Sequence, residues 1–458
     1  MANYIKIENK QPVTTTDPVP KDKPTMQTWQ IILAGILVLF MLALVAIGLT
    51  MLIGCSLSDD SDIERVPYTD GLLMEDIPQA HRLVCYFTTS GRNKLSLLDV
   101  PGDLCTHINI GTADLDNATL SLSPQLQDVL ANETSIFHAK YPQVKLLLWI
   151  GGADSGKQFA IMVKNHAQRK IFLRSLKVIL KAYPSLSGID LDWEFPRPYD
   201  KNRQHFAQLF YEIRREWQRE RRSNSILSLA VAAPEGIAYY AYNIREINIY
   251  IDYVNLMSYD FHFYAKDTPF TGLNAPLYAR LNEQSIMATF NINYTVHWWL
   301  KNGLEPQKLV VGLPTYGHSF TLINPLNTQI GAPASGYGEC GELGFTTLSE
   351  TCECSKNYRR NKISGYDYST CSPYLTDLQE WISYEDPESI RCKAKYVKSL
   401  NVGGIMIFSL NTDDLKNICN YEPYIETERQ NNALGGMLSS NRSKPVFPLT
   451  KIAKEILQ

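Results

Sequence analysis

Beyond residue 80 the chain alternates two hydrophobic periods. Short runs that are apolar almost throughout recur at RLVCYF (82–87), THINIG (106–111), VKLLLWIGG (144–152), GIDLDW (188–193), ILSLAVAAP (226–234), IDYVNLMSYD (251–260), KLVVGLPTYG (308–317) and GGIMIFSL (403–410). Continuous Val, Ile and Leu, in place of strict alternation, predicts strands covered on both faces. Longer stretches of helical period lie between them, clearest at QRKIFLRSLKVILKAY (168–183) and NRQHFAQLFYEIRREWQRERR (202–222). Eight such strands separated by helices predict an α/β fold, a closed parallel (β/α)8 TIM barrel. One interval breaks the rhythm, because about 85 residues separate the seventh run from the eighth. Compact domains rarely carry a structureless loop of that size. Residues 317–400 are therefore expected to form a small α+β insertion between strands seven and eight.

A different pattern precedes the barrel. From Ile31 to Ile53 the chain reads IILAGILVLFMLALVAIGLTMLI, 23 residues without a charge. A helix of that length spans the ~30 Å hydrocarbon core of a bilayer. A cleavable signal peptide would carry an apolar stretch of about 7–15 residues behind a short basic head. Here 30 polar or mixed residues come first and the run is longer, so one uncleaved transmembrane helix, a signal anchor in the lipid bilayer, is expected. Lys6, Lys10, Lys21 and Lys23 precede the run, whereas Asp59, Asp60, Asp62 and Glu64 follow it before Arg65. By the positive-inside rule the short tail is then cytoplasmic and the large domain extracellular or lumenal, a single-pass type II arrangement. The expected order is a cytoplasmic tail at 1–30, the anchor at 31–53, an acidic stalk at 54–80, the catalytic barrel at 81–430 and a C-terminal extension at 431–458.

Composition narrows the class. Apolar residues make up 45% and charged residues 20%, as in a packed globular protein. A net charge of −3 offers no basic surface for a nucleic acid, so none is expected as partner. Eight cysteines lie beyond the apolar run: Cys85, Cys105, Cys340, Cys352, Cys354, Cys371, Cys392 and Cys419. An even number in a lumenal domain predicts disulfides. Cys352 and Cys354 stand too close for a zinc knuckle. Four glycosylation sequons begin at Asn117, Asn132, Asn293 and Asn441, which fits secretory passage.

The segment with most chemistry is Gly188-Ile189-Asp190-Leu191-Asp192-Trp193-Glu194. Alternate side chains on a strand share a face, so Asp190, Asp192 and Glu194 point the same way, toward the C-terminal mouth of the barrel. Carboxylates spaced by ~6–7 Å in a partly buried space cannot all ionise freely. At least one should hold a proton near neutral pH, which is what a general acid needs. A solvated edge strand is excluded, because Ile189, Leu191 and Trp193 make the other face apolar. A metal site of three carboxylates stays open as an alternative, although no histidine stands at ligand spacing. No metal and no cofactor is expected.

These residues resemble the DxxDxDxE signature of family 18 glycoside hydrolases, the chitinases and chitinase-like lectins. The resemblance covers roughly residues 82–420. Trp149-Ile150-Gly151-Gly152 is similar to the family's third-strand SxGG. Met257-Ser258-Tyr259-Asp260-Phe261-His262 is similar to its sixth-strand MxYDxH, and 271–278 to the loop that follows. Residues 308–317 resemble KLxxGxPTYG on the seventh strand, and 403–406 the start of the eighth. The resemblance implies cleavage of β-1,4 linkages in chitin or N-acetylglucosamine oligomers. Glu194 would be the acid/base, with the substrate's own acetamido oxygen as nucleophile. Asp192 would orient that acetamido group, Asp190 would hold Asp192, and Tyr259 would assist. Tyr86, Met257, Asp260, Tyr316 and Phe408 would bind substrate. It also implies bridges Cys85–Cys105 and Cys352–Cys419, with the partners of the other four cysteines open.

The departures are specific. Ser187 stands for the signature's first Asp. Trp149 stands where the third-strand motif has a small polar residue. Ala153, Phe408 and Ser90 stand where the family has tryptophans. Each lost stacking surface costs about 1 kcal/mol in sugar binding. Besides hydrolysis, the residues admit a lectin-like protein that binds chitooligosaccharide without cutting it, and an endoglycosidase acting on the chitobiose core of N-glycans.

Overall fold

The computed structural model describes residues 81–91, 93–357, 363–421 and 445–458. The tail, anchor and stalk expected over 1–80, and Asn441, lie outside the described residues. Among the described residues no helix is long and apolar enough to cross a membrane.

All eight apolar runs form strands: β1 Arg82–Thr88, β2 His107–Asp116, β3 Lys145–Gly152, β4 Leu186–Trp193, β5 Ile226–Ala232, β6 Tyr253–Met257, β7 Leu309–Pro314 and β8 Gly404–Phe408. Each pairs in parallel with its neighbours, and β1 pairs with both β2 and β8, which closes the barrel. One strand was not foreseen. Thr119–Leu122 folds back antiparallel on the extended end of β2.

The helical stretches form α1 (His166–Ala182) and α2 (Asn202–Arg219). On α2, Phe206, Leu209, Phe210, Ile213 and Trp217 recur at helical spacing and are buried as one stripe. That stripe holds β4. Trp193 at the strand's end stacks on Phe159 at 5.6 Å and meets Phe206 edge-on at 5.1 Å. Outward-facing apolar residues thus clamp β4 so that Asp190 and Asp192 must face inward.

The insertion is an antiparallel sheet entered directly from β7. Its strands run in the order Ala334–Tyr337, Tyr316–Leu322, Glu380–Ser383, Ser372–Asp377 and Ile363–Asp367, with Phe345–Thr347 also on Tyr316–Leu322. It therefore ends at Ser383 and not near 400. Helix α3 (Pro387–Ser399) belongs to the barrel, where it packs on β7 and β8. The described end of the C-terminal extension, 445–458, is likewise part of the barrel. Helix α4 (Pro448–Leu457) packs on α3, β1 and β8. Its first turn is held by buried Asp413, which accepts from Thr450 N and Oγ1 at 3.0 and 2.8 Å.

Four disulfides are present. Cys85–Cys105 and Cys352–Cys419 pair as the resemblance implied. Cys340–Cys354 and Cys371–Cys392 supply the pairs the sequence left open. Two of them staple the insertion to the barrel: Cys352 reaches the segment after β8, and Cys371 reaches α3.

Candidate active site

The C-terminal ends of the strands surround a cleft of about 940 Å³. Strand alternation decides what faces it. On β4, Asp190 is 0% exposed and Asp192 3% exposed, and Glu194 follows the last strand residue at the rim. The neighbouring β3 comes very close at this level. A Cβ at Gly151 would sit 2.1 Å from the Asp192 carbonyl oxygen, and its φ of +110° also favours glycine.

Asp190 lies one layer beneath the cleft, with both oxygens occupied. Ser228 Oγ donates to Oδ1 at 2.5 Å and Asn255 Nδ2 at 3.0 Å, while Tyr86 Oη donates to Oδ2 at 2.6 Å. Burial pushes its carboxyl up to about 6, against the pull of those donors. Asp192 takes one side-chain hydrogen bond, from Trp149 Nε1 to Oδ2 at 2.9 Å. Its Oδ1 is buried and has no partner among the described residues. Burial, and then the charges of Glu194 and Asp190, hold the Asp192 carboxyl well above the usual range. Glu194 is pushed up to about 7, first by burial and then by the charges of Asp260 and Asp154. Among the described residues no lysine, arginine or histidine lines the cleft to oppose this.

Tyr259 and Asp260 follow β6. Asp260 has a left-handed φ of +55°, and its N–H donates to Asn274 Oδ1 at 2.9 Å. Its Oδ1 lies 2.7 Å from both the Tyr316 hydroxyl and His318 Nε2. Tyr86, Trp149, Tyr259 and Phe408 form the aromatic floor, with Phe408 centroids 5.4, 5.8 and 5.6 Å from the other three.

Seven of the expected residues line one cleft: Tyr86, Asp192, Glu194, Met257, Tyr259, Asp260 and Phe408. Two do not. Asp190 sits below it, and Tyr316, 2% exposed, lies behind its wall, bonded to Asp260 and packed edge-on against Tyr259 and Phe408, because the insertion's first strand turns Tyr316 into the core. Exposed Ala153 lines the rim where a stacking ring was missing from the sequence. Three contributors were not singled out beforehand. Ser228 and Asn255 were legible as lone polar residues in apolar runs, since a buried polar group needs a partner. Trp149 was noted as a departure without a role. Among the described residues no group of three His, Cys, Asp or Glu side chains could hold a metal.

The arrangement can supply a proton from Glu194, an unpaired acceptor at Asp192 Oδ1 and a phenol at Tyr259, above an aromatic floor. Comparisons with known proteins point the same way. Mouse chitotriosidase-1 is 34% identical over 383 residues, covering 78% of this chain and 80% of that protein. The solved structure of human YKL-39, described as a pseudo-chitinase with retained chitooligosaccharide binding, superposes with a TM-score of 0.72 at 28% identity. It covers 82% of this chain and 100% of that one. A Group IV chitinase from Ostrinia furnacalis in complex with allosamidin gives 0.71 at 28%, covering 82% and 98%. Residues 82–413, from the first barrel strand to just past the last, match Glycosyl hydrolases family 18, and the chain belongs to that family.

Proposed function

We propose that this protein hydrolyses β-1,4 linkages between N-acetylglucosamine units, as a chitinase or chitooligosaccharidase, by substrate-assisted retaining catalysis. The observation that carries the reading is Glu194 at the cleft rim, its proton affinity raised to about 7, beside a buried Asp192 with a free oxygen. Glu194 gives its proton to the glycosidic oxygen as the C1–O bond breaks. The carbonyl oxygen of the same sugar's acetamido group bonds to C1, giving an oxazolinium ion and releasing the leaving sugar. Asp192 Oδ1 accepts from the acetamido N–H and offsets the positive charge, while Asp190 stands behind it. Water then gives a proton to Glu194 and its oxygen to C1, which restores the acid and the acetamido group. A polymer without 2-acetamido groups cannot supply the nucleophile.

The test is release of fluorophore from a chitobiose or chitotriose conjugate by the purified full-length chain, and then from longer oligomers. Glu194 must hold its proton to act, so kcat/KM is expected to fall as pH rises through about 7. A profile whose alkaline limb lies near an ordinary glutamate value would remove the acid from this account.

Binding without turnover is the second reading. It is supported by Ala153 and Phe408 in place of larger rings and by the pseudo-chitinase among the structural relatives. Oligomer binding by active-site-intact protein that releases no product decides for it.

The proposal includes location. The uncharged run at 31–53 and the four disulfides support a signal-anchored, type II protein with its barrel outside or in the lumen. Asn117 and Asn132 are exposed, whereas Asn293 is half-buried and accepts from Tyr396 Oη at 2.9 Å. Glycans are therefore expected at Asn117 and Asn132 and absent from Asn293. Mass loss on enzymatic deglycosylation, compared with the Asn117→Gln and Asn132→Gln variants, checks this. Unglycosylated protein from a secretory-competent cell would contradict the lumenal orientation.

A further inference from the structure

Trp149 sits on β3 in register with Asp190, so its side chain enters the barrel at the level of the carboxylates. It is 5% exposed. The indole is wedged edge-on against Tyr86 at 4.9 Å and 89°, and against Phe408 at 5.8 Å and 84°. Those contacts fix the ring, and the fixed ring aims Nε1 at Asp192 Oδ2, 2.9 Å away. An indole N–H can donate and cannot accept. Oδ2 is therefore always an acceptor, and any proton carried by Asp192 must be on Oδ1. That is the oxygen left without a partner.

We propose that Trp149 is a positioning residue, which pins Asp192 through Oδ2 and leaves Oδ1 as the sole atom able to exchange a proton with Glu194 or meet a substrate N–H. The inference rests on the reading of Glu194 as the acid and adds the device that keeps the proton there. The groups facing Asp192 are otherwise acidic or phenolic: Asp190 on β4, Glu194 just after it, Tyr86 from β1, Tyr259 after β6 and Tyr242 beyond β5. Asp154 and Asp260 face Glu194. Among the described residues the indole is the one side-chain donor to the Asp192 carboxylate. A donor favours the ionised form. It therefore shifts the proton shared by the pair from Asp192, where it is idle, to Glu194, where it is used.

Trp149→Phe keeps an aromatic ring and removes the N–H. The proton should then reside more on Asp192, and the upper titration of the pair should rise. The expected result is a kcat lower by about ten-fold on the pH plateau, the loss of one charge-assisted hydrogen bond, with the gap narrowing above the wild-type alkaline limb. KM should stay within about two-fold, with the alkaline limb displaced upward. Carboxyl NMR of the full-length chain carrying 13C-labelled Asp and Glu, assigned with Asp192→Asn and Glu194→Gln, should show the Asp192 titration moving up. If Phe at 149 unfolds the barrel, benzothienylalanine at that position removes the N–H within an unchanged ring shape. Identical carboxyl titrations in wild type and variant would overturn the proposal, as would a raised KM with unmoved limbs, the mark of a packing role. Wild-type protein that cuts no oligomer would overturn the hydrolase reading instead, and the carboxyl titrations would still decide the role of Trp149.

Discussion

Glu194→Gln is expected to lower kcat on a chitotriose conjugate by on the order of 10³-fold, with KM changed little. The amide is nearly isosteric with the protonated acid, so the cleft keeps its shape and its floor of Tyr86, Trp149, Tyr259 and Phe408. What is lost is the proton that must reach the glycosidic oxygen, and Asp190, Asp260 and Asp192 cannot replace it. Asp190 is beneath the cleft with both oxygens held. Asp260 is tied to Tyr316 and His318. Asp192 is needed as an anion facing the acetamido group. The variant should therefore still bind oligomers, and calorimetry beside the turnover assay separates binding from chemistry. A variant retaining a tenth of wild-type kcat would show that the proton comes from elsewhere.

Lys393→Met is expected to cost about 3–5 kcal/mol of stability, the largest effect foreseen away from the cleft. Lys393 and Glu385 are 0% and 1% exposed in their side chains, and Lys393 Nζ donates to both Glu385 oxygens at 2.5 and 2.6 Å. Ser389 Oγ adds a third donor at 2.7 Å. The pair ties Glu385, in the link that follows the last insertion strand, onto the body of α3, so it fixes the chain where it re-enters the barrel. Removing the cation leaves a carboxylate buried without its counter-charge. Burial already holds the Glu385 carboxyl above its ordinary value, and Lys393 is what offsets this. Replacing both residues, Lys393→Met with Glu385→Leu, should recover most of the loss, because the unpaired charge is then gone. Urea midpoints of the two single variants and the double variant test this. A single variant as stable as wild type would mean that the pair is solvated in solution.

Much of the barrel was legible because the strand code is local. Near-continuous apolar runs marked all eight strands, and alternation within GIDLDW placed Asp190 and Asp192 on the inner face. The antiparallel strand Thr119–Leu122 escaped notice because its alternation, TLSL, lasts only four residues. The limits of the insertion were misjudged for a related reason. Residues 387–399 have the helical pattern of any surface helix, and only their packing on β7 and β8 assigns them to the barrel.

The strand and helix order, the inward direction of the carboxylates and the family signature are readable from the chain, since each is written in consecutive residues. The tertiary structure decided the partners. Tyr86, Ser228 and Asn255 meet on Asp190 across three strands, Trp149 reaches Asp192, Tyr316 is withdrawn behind Asp260, and Cys340, Cys354, Cys371 and Cys392 find their pairs. The reason is register. Periodicity states which way a side chain faces, but which distant side chain it faces is set only when strands far apart in the chain slide into one closed sheet.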